Sequence, residues 1–285
     1  MTRVIESLAD ISGQYDALYC DLWGCLHDGV RALDEAVAAL RRFKGQGGQV
    51  ILLSNSPRPA DEVAKQIRGF GVPDDCWDRI VTSGDAAQRA MFRGRVGRRV
   101  WFIGVKETLP FFDAPDGQGD PVDIARVPLD EADGIVCTGP FDVHSDPDAM
   151  RPEFEAAIAR GLPFLCANPD IVVDRGGTRE WCAGALAQLY GEMGGETLYF
   201  GKPEAAVYDL AGEMLTRPDA RVLAVGDGIA TDILGAARQG IDALFVTGGL
   251  ARSETRTARQ PEAEALARYL QAQDSHPAYA IGALR

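Results

Sequence analysis

The chain has 285 residues, a formal net charge of −13 and an isoelectric point near 4.7. Hydrophobic residues make up 46% and charged residues 25%, proportions that are typical of a globular protein with a sizeable core. The acidity argues against nucleic acid or an anionic membrane as the main partner, and no apolar run approaches the ~20 residues that span a bilayer. The N-terminus lacks the apolar core of a secretory signal, so a cytoplasmic location is expected.

The first predicted strand is the apolar run Ala17-Leu18-Tyr19, which leads directly into Asp21. Two glycines, Gly24 and Gly29, follow within a few residues. An apolar run that ends in glycines is typical of a buried strand and a sharp turn. Asp21 therefore lies at the carboxyl end of a strand, where ligands bind in open parallel sheets.

Predicted helices and strands then alternate along the chain. Apolar residues at helical spacing predict helices over 33–44 and 60–70, while 50–53 and 80–82 are short apolar runs of the strand type. This alternation predicts an α/β fold with a doubly wound, Rossmann-like parallel sheet and crossover helices.

The middle of the chain repeats the same rhythm and predicts a second core. Strands are expected at 100–103, 134–138 and 163–167. A loop rich in Pro, Gly and Asp over 114–127 lies between the first and the second of them. We therefore predict an inserted α/β cap domain at 86–190, within a core domain formed by 1–85 and 191–285. The six cysteines form no C-x-x-C pair and no Cys/His metal spacing, so no disulfide is expected.

The alternation resumes after the insertion. A strand at 197–200 precedes Lys202, and a strand at 221–225 precedes Asp227 and Asp232. A helix to Gln239, a strand at 243–246 and a last helix over 261–271 complete the predicted elements.

Polar side chains follow four of these strands at the points where the strands end. The carboxyl ends of parallel strands lie at one edge of a sheet, so residues ~180 apart in sequence can converge there. Taken singly, each has a structural explanation, because Asp often caps a helix and Gly-Asp-Gly often forms a turn. Together and in this order they predict one polar site, formed by Asp21, Ser54, Asn55, Lys202, Asp227 and Asp232.

This order of motifs resembles the haloacid dehalogenase-like hydrolases, which are mostly Mg²⁺-dependent phosphatases. The long insertion between Ser54 and Lys202 is similar to the α/β cap of the class IIA group, which contains nagD-like nucleotide phosphatases, nitrophenyl phosphatases and phosphoglycolate phosphatases. The stretches that carry the resemblance are Asp21 to Leu26, His27-Asp28-Gly29, Ser54-Asn55, Ala167 to Asp170, Lys202-Pro203 and Gly226 to Ile233.

The resemblance implies that Asp21 is a nucleophile that forms an aspartyl-phosphate, with Lys202 as a second catalytic residue. It also implies that Mg²⁺ is held by Asp21, the main-chain carbonyl of Trp23, Asp227 and Asp232, since oxygen ligands suit this ion. The three carboxylates bring three negative charges, which Mg²⁺ and Lys202 together offset before a phosphate enters.

Substrate binding is expected to involve two regions of the chain. By resemblance, Ser54, Asn55 and nearby backbone N–H groups bind the oxygens of the transferring phosphoryl group. Asn168, Asp170 and Arg175 are candidates for contacts with the rest of the substrate, although each has an alternative role as a turn residue. The substrate itself is expected to be a small phosphorylated metabolite.

Trp23 is the departure from the family pattern. Phosphatases of this superfamily usually have Asp two residues after the nucleophile, where it protonates the leaving alkoxide and later activates water. General acid–base catalysis typically contributes ~10²–10⁴-fold, and Trp has no proton to exchange. His27 or Asp28 is a candidate replacement, in competition with a role in the turn. We therefore expect slow hydrolysis of alkyl phosphates and better rates for leaving groups that need no protonation.

Two alternatives to a phosphatase remain open from the sequence. A binding or regulatory protein would keep the metal and phosphate pocket without turnover, and Trp23 favours it. A dehalogenase would use the same nucleophile without a metal, and the presence of both Asp227 and Asp232 argues against it.

Overall fold

The structure, a computed structural model, describes residues 2–114, 122–175 and 178–285. Part of the loop that the sequence predicts over 114–127 therefore lies outside the described residues. No helix among those described is both long enough and apolar enough to cross a membrane.

The described residues form fourteen strands and eight α-helices. The strands are β1 (Arg3–Val4), β2 (Ala17–Cys20), β3 (Gln49–Ser54), β4 (Arg79–Thr82), β5 (Arg99–Ile103), β6 (Ala125–Arg126), β7 (Gly134–Cys137), β8 (Phe164–Cys166), β9 (Val172–Arg175), β10 (Thr178–Trp181), β11 (Thr197–Tyr199), β12 (Val222–Gly226), β13 (Asp242–Val246) and β14 (Tyr279–Ile281). The helices are α1 (Asp34–Gly45), α2 (Ala60–Gly69), α3 (Ser83–Phe92), α4 (Arg151–Ala159), α5 (Ala183–Glu192), α6 (Ala205–Glu213), α7 (Leu234–Arg238) and α8 (Ala263–Ala272).

The chain packs as two compact units. The first comprises Met1–Ser54, Ala64–Val81 and Lys202–Arg285, and the second comprises Asn55–Val63 and Thr82–Gly201. Most of the second unit is thus inserted in sequence between segments of the first. The cap boundaries predicted from the sequence, 86 and 190, lie inside the second unit. The division into a core domain and a cap domain at these positions stays a prediction.

The first unit contains a seven-stranded sheet in the order β1-β14-β13-β12-β2-β3-β4. Strand β2 pairs in parallel with β3 on one side and β12 on the other. From β2 the chain moves outward through β3 and β4, and from β12 it moves the opposite way through β13 and β14. The boundary between β2 and β12 is therefore a topological switch point, where open α/β sheets bind ligands. The predicted α/β fold with a doubly wound parallel sheet is confirmed.

Strand β2 is buried along its whole length. A parallel strand covered on both faces needs a continuous apolar sequence, which Ala17 to Cys20 provides. Apolar residues of β12, β13 and α8 continue the core on one face, where the Phe245 ring stacks on Tyr269 with centroids 6.1 Å apart. Pairing with β3 and β12 on its two sides fixes β2 and, with it, the backbone that enters the turn at Asp21.

The second unit has its own sheet and core, as the sequence predicted. Its five strands run in the order β11-β8-β7-β5-β6 with parallel pairing, and β9 and β10 form a separate antiparallel pair. Phe154, Phe164 and Tyr190 form an aromatic centre with ring centroids 5.2–5.9 Å apart. The Tyr190 hydroxyl donates to the carbonyl of Leu162 at 2.6 Å, which satisfies its one buried polar atom.

The strand before Lys202 differs from the sequence expectation. We expected 197–200 to resume the first sheet, but β11 pairs with β8 at the edge of the second unit's sheet. Both positions beside β2 are already occupied by β3 and β12, so the first sheet has no central place for another strand. Lys202 therefore enters the first unit directly after a strand of the second.

Candidate active site

The turn after β2 is tightly folded around Asp21. Its backbone N–H donates to the carbonyl of Val225 in the neighbouring strand at 2.8 Å, and the N–H of Gly24 donates to the carbonyl of His27 at 2.9 Å. Gly24 has φ +73°, and a Cβ at this position would overlap the carboxylate of Asp227. Glycine is thus required both by the left-handed backbone and by the close approach of Asp227.

Lys202 is the electrostatic centre of the site and is only 2% exposed. Its Nζ donates to Asp21 Oδ1 at 2.6 Å, to Asp232 Oδ1 at 2.6 Å and to the carbonyl of Leu53 at 2.9 Å. These three acceptors match the three donors of an ammonium group. Burial by itself would lower the pKa of Lys202, but the charges of Asp21 and Asp232 outweigh burial and hold that pKa well above its usual value. Lys202 is therefore expected to be positively charged at neutral pH.

Asp227 lies beside Asp21 in an environment that disfavours another negative charge. It is 6% exposed, and its Oδ2 accepts the backbone N–H of Leu250 at 3.0 Å. Burial, followed by the charges of Asp21 and Asp232, raises the pKa of Asp227 well above its usual value. Three buried carboxylates face one ammonium, so the group has an excess of two negative charges when all of them are ionised.

The residues present fit a divalent cation. Among the described residues, Asp21, Cys25 and Asp227 offer ligand atoms that lie within 4.8 Å of one another. Burial raises the pKa of the Cys25 thiol well above its usual value, so the thiolate form is disfavoured. The two carboxylates remain, and hard oxygen ligands suit Mg²⁺. The excess of two negative charges also equals the charge that such an ion brings.

Asp232 is bound from both sides. Its Oδ1 accepts from Lys202, and its Oδ2 accepts from the Gly228 N–H at 3.2 Å and the Thr231 hydroxyl at 3.3 Å. The residue lies in a single π-helical turn, Ile229–Ile233, a rare conformation that is frequent at functional sites. The structure therefore pairs Asp232 with Lys202, and its direct ligation of a metal stays a prediction.

Trp23 is half-buried, and its ring lies against the turn rather than in the sheet. A Cβ at Gly29, which has φ +86°, would come within 2.5 Å of the ring, so only glycine fits beneath it. The ring also meets His27 edge-on, with centroids 5.3 Å apart. Trp23 thus packs within its own loop, and it lies two residues after Asp21 in the sequence.

His27 and Asp28 hold the loop. The buried His27 accepts the Gly29 N–H at Nδ1 over 3.1 Å, and burial lowers its pKa to about 4. Asp28 Oδ1 accepts the N–H groups of Val30 and Arg31 at 3.0 and 2.9 Å, an arrangement typical of an Asx turn. These hydrogen bonds support the turn role that the sequence allowed for both residues.

The residues predicted to bind substrate form two groups. Ser54, the last residue of β3, is buried next to Leu53. In the second unit, Asn55 Nδ2 donates to Asp170 Oδ1 at 2.8 Å, and the N–H of Asp170 donates to Asn168 Oδ1 at 3.0 Å. Asn55, Asn168 and Asp170 are therefore brought together by the fold, although they are far apart in sequence. Arg175 is the last residue of β9.

Two contributors to the site were not predicted. The Leu53 carbonyl binds Lys202, and the Leu250 N–H binds Asp227. Both are backbone groups, which side-chain motifs do not reveal. A signal for the second was available in Gly248-Gly249 after the strand at 243–246, because a Cβ at Gly249 would overlap Asp227.

Replacing Lys202 with Met is expected to lower the free energy of unfolding by about 3–5 kcal/mol, the usual cost of removing one partner of a buried ion pair. The reason is that Asp21 and Asp232 would stay buried without their cation. Urea unfolding of the metal-free protein measures the change. Lys106→Met, at an exposed lysine, is the control and should cost less than about 0.5 kcal/mol. Equal losses in the two variants would contradict the importance of the buried pairs.

Comparisons with known proteins agree with this geometry. The family model of haloacid dehalogenase-like hydrolases matches residues 18–115, and a HAD-hydrolase-like model matches residues 199–272. The chain is 36% identical to a solved structure from Brucella suis 1330, described as a hydrolase of the haloacid dehalogenase-like family. That match covers 99% of this chain and 100% of the other, with a TM-score of 0.83.

Two further relatives carry more specific names. The chain is 24% identical to the 5'-nucleotidase YutF of Bacillus subtilis, over 85% of this chain and 91% of that protein. It is 25% identical to a glycerol phosphate phosphatase from Mycobacterium tuberculosis, solved in complex with magnesium. This second match covers 86% of this chain and 71% of the other, with a TM-score of 0.64.

Proposed function

The chain belongs to the haloacid dehalogenase-like hydrolase family, and we propose that it is a Mg²⁺-dependent phosphatase with Asp21 as its nucleophile. Hydrolysis of phosphate monoesters is the activity that the family and the named relatives support. The observation that carries the finer proposal is the buried group at the end of β2, in which Lys202 joins Asp21 to Asp232 and Asp227 lies beside them.

In the proposed reaction, a carboxylate oxygen of Asp21 attacks phosphorus and the bond from phosphorus to the leaving oxygen breaks. Water then attacks the phosphorus of the aspartyl-phosphate, releases inorganic phosphate and restores the carboxylate. Lys202 holds Asp21 Oδ1 at 2.6 Å, so the nucleophile has a fixed orientation and its charge is partly offset. Ser54, Asn55 and nearby N–H groups bind the phosphoryl oxygens in this proposal.

Asp21, Asp227 and the main-chain carbonyl of Trp23 would hold Mg²⁺, with Asp232 next to them. When bound, this ion supplies the positive charge that offsets repulsion between the carboxylates and a phosphate dianion. Support comes from the geometry, because Asp21 and Asp227 offer carboxylate oxygens within 4.8 Å of each other in a buried group of negative charge. The magnesium complex of the glycerol phosphate phosphatase is further support by relationship.

Turnover of alkyl phosphates is proposed to be slow. Trp23 has no proton to give to a leaving alkoxide, and its ring is packed on Gly29 and His27. Hydrogen bonds place His27 and Asp28 in the turn, where each accepts backbone N–H groups. Leaving groups that are stable as anions, such as aryl oxides, avoid the missing protonation.

The substrate is proposed to be a small phosphorylated metabolite, in line with a 5'-nucleotidase and a glycerol phosphate phosphatase among the relatives. The net charge of −13 argues against nucleic acid as the main partner in this proposal, and a cytoplasmic location stays a prediction.

A second candidate function is a phospho-ligand-binding or regulatory protein that has lost turnover. Trp23 is the observation that favours it, because the site would keep its charges and lose a proton donor. The two candidates differ in one measurable outcome. The phosphatase releases inorganic phosphate from an ester, and the binding protein does not.

A panel of aryl and alkyl phosphate esters with and without Mg²⁺ tests the proposed function. We expect phosphate release that requires Mg²⁺ and is faster for aryl than for alkyl esters. Asp227→Asn removes the charge of one proposed ligand while keeping the size of the side chain. This variant should need higher Mg²⁺ concentrations to reach the same rate. Thermal stabilisation by esters without any release would support the binding protein, and halide release from haloacids in EDTA would support a dehalogenase.

A further inference from the structure

The side chain of Asn55 is hydrogen-bonded at its amide nitrogen and closely packed at its amide oxygen. Its Nδ2 donates to Asp170 Oδ1 at 2.8 Å. Its Oδ1 faces the backbone of Gly201, where a Cβ would lie 2.6 Å from that oxygen and 2.7 Å from the Ser83 hydroxyl. Asn55 is 5% exposed, so its amide is packed within the second unit. The orientation of this amide is thus determined by residues that are distant in sequence.

Asp170 is itself rigidly held. Its N–H donates to Asn168 Oδ1 at 3.0 Å, and its carbonyl accepts the N–H of Gly184 in the first turn of α5 at 3.1 Å. A Cβ at Gly184 would overlap the carbonyls of Pro169 and Asp170, so the helix starts in direct contact with the turn. The carboxylate that binds Asn55 therefore stands on a packed turn and helix.

The segment that begins at Asn55 is fixed at further points by α3. The Gly84 N–H donates to the carbonyl of Ser56 at 2.9 Å, and the Thr82 hydroxyl donates to the carbonyl of Arg58 at 2.8 Å. The Asp85 carboxylate accepts the N–H of Ala60 at 3.0 Å. Each of these bonds holds the backbone, whereas the Asp170 bond holds a side chain that is proposed to face the phosphoryl group.

We propose that Asp170 is a positioning residue, which orients the amide of Asn55 for phosphoryl binding and does not itself contact the substrate. This inference rests on the proposed function, because it takes the Ser54-Asn55 segment as the phosphoryl-binding segment. It gives Asn168 the related task of holding the backbone N–H of Asp170. Both residues thereby act through Asn55, whereas the sequence suggested direct contact with the substrate.

A double-mutant cycle of Asn55→Ala and Asp170→Ala tests the proposal through kcat and KM for an aryl phosphate. Loss of a hydrogen bond to a charged group typically costs about 10- to 100-fold, so each single variant should lower kcat/KM by about that factor. The double variant should be no worse than the worse single one, because the two residues act as one unit. Asp170→Asn keeps an oxygen at the acceptor position and should retain most of the activity.

Each other outcome contradicts a different claim. Additive losses in the double variant, or a loss in Asp170→Asn as large as in Asp170→Ala, would overturn the positioning role. No loss in Asn55→Ala, with activity otherwise intact, would instead contradict the proposed phosphoryl-binding segment. If Asp170→Ala fails to fold, Asp170→Leu, which fills a similar space and accepts no hydrogen bond, takes its place in the cycle with the same expected loss.

Asp142 provides a matched control in the same unit. Its carboxylate accepts a backbone N–H in a turn, that of His144 at 2.9 Å, and it is exposed. Asp142→Ala alone should leave kcat/KM unchanged, and when it is added to Asn55→Ala it should leave the kcat/KM of that single variant unchanged. Urea unfolding of every variant separates a loss of stability from a loss of phosphoryl binding.

Discussion

Replacing Asp21 with Asn is expected to lower the turnover of an aryl phosphate by about 10⁴-fold or more, the scale seen when an enzyme loses its nucleophile. An amide does not attack phosphorus, whereas its shape and its oxygen still suit the hydrogen bond from Lys202. The substitution also removes one of three buried negative charges, so we expect the fold to be retained. Initial rates with Mg²⁺ present and urea unfolding measure these two expectations separately.

Asp16 provides the control for this variant, because it lies at the opposite end of the same strand. Its carboxylate accepts the backbone N–H of Arg221 at 2.9 Å, and its side chain is 23% exposed against 10% for Asp21. Asp16→Asn should leave turnover unchanged. If Asp21→Asn keeps the activity of this control, the assignment of Asp21 as nucleophile is wrong.

Replacing Trp23 with Asp is expected to raise the hydrolysis of alkyl phosphates by about 10²–10⁴-fold, the range that general acid–base catalysis contributes. The new carboxyl group would lie two residues after Asp21, in the loop that the Trp23 ring now fills against Gly29. Aryl phosphates should gain less, because their leaving groups need no proton. Rates for matched alkyl and aryl esters give the comparison.

Trp23→Asn is the matched control, since it removes the same ring contacts and supplies no acid. Both variants lose the edge contact with His27, so they should lose similar stability in urea unfolding. If the Asn variant accelerates alkyl ester hydrolysis as much as the Asp variant, the gain comes from a more open loop. In that case the explanation of slow turnover by a missing proton donor is wrong.

Much of the first unit could be predicted because its signals are local. The run from Ala17 to Tyr19 is apolar throughout, since β2 is buried on both faces, and the glycines after it indicated the turn at Asp21. The convergence of Asp21, Asp227 and Asp232 followed from one rule, that parallel strands end at the same edge.

The features that escaped prediction depend on contacts distant in sequence. Nothing within Thr197–Tyr199 reveals that β11 pairs with β8, because a strand of three residues does not specify its partner. Helix α5 begins in a run of Ala, Gly and Leu without a clear polar face, so it lacked the usual periodicity. The bond between Asn55 and Asp170 joins residues 115 positions apart, which neither local spacing nor a motif indicates.

The three bonds of Lys202 also determine when the site can exist during synthesis of the chain. They join the end of β3, the turn at Asp21 and the π-helical turn at Asp232, and the span from Asp21 to Lys202 is 181 residues. A growing chain that has not passed Lys202 holds Asp21 without its cation, and one that has not passed Asp232 lacks an acceptor of Lys202. Contacts of such long range are slow to form, because the loop between them must first be closed. Asp21 therefore meets its full set of partners only after the second unit has been made, so an incomplete chain carries no complete site.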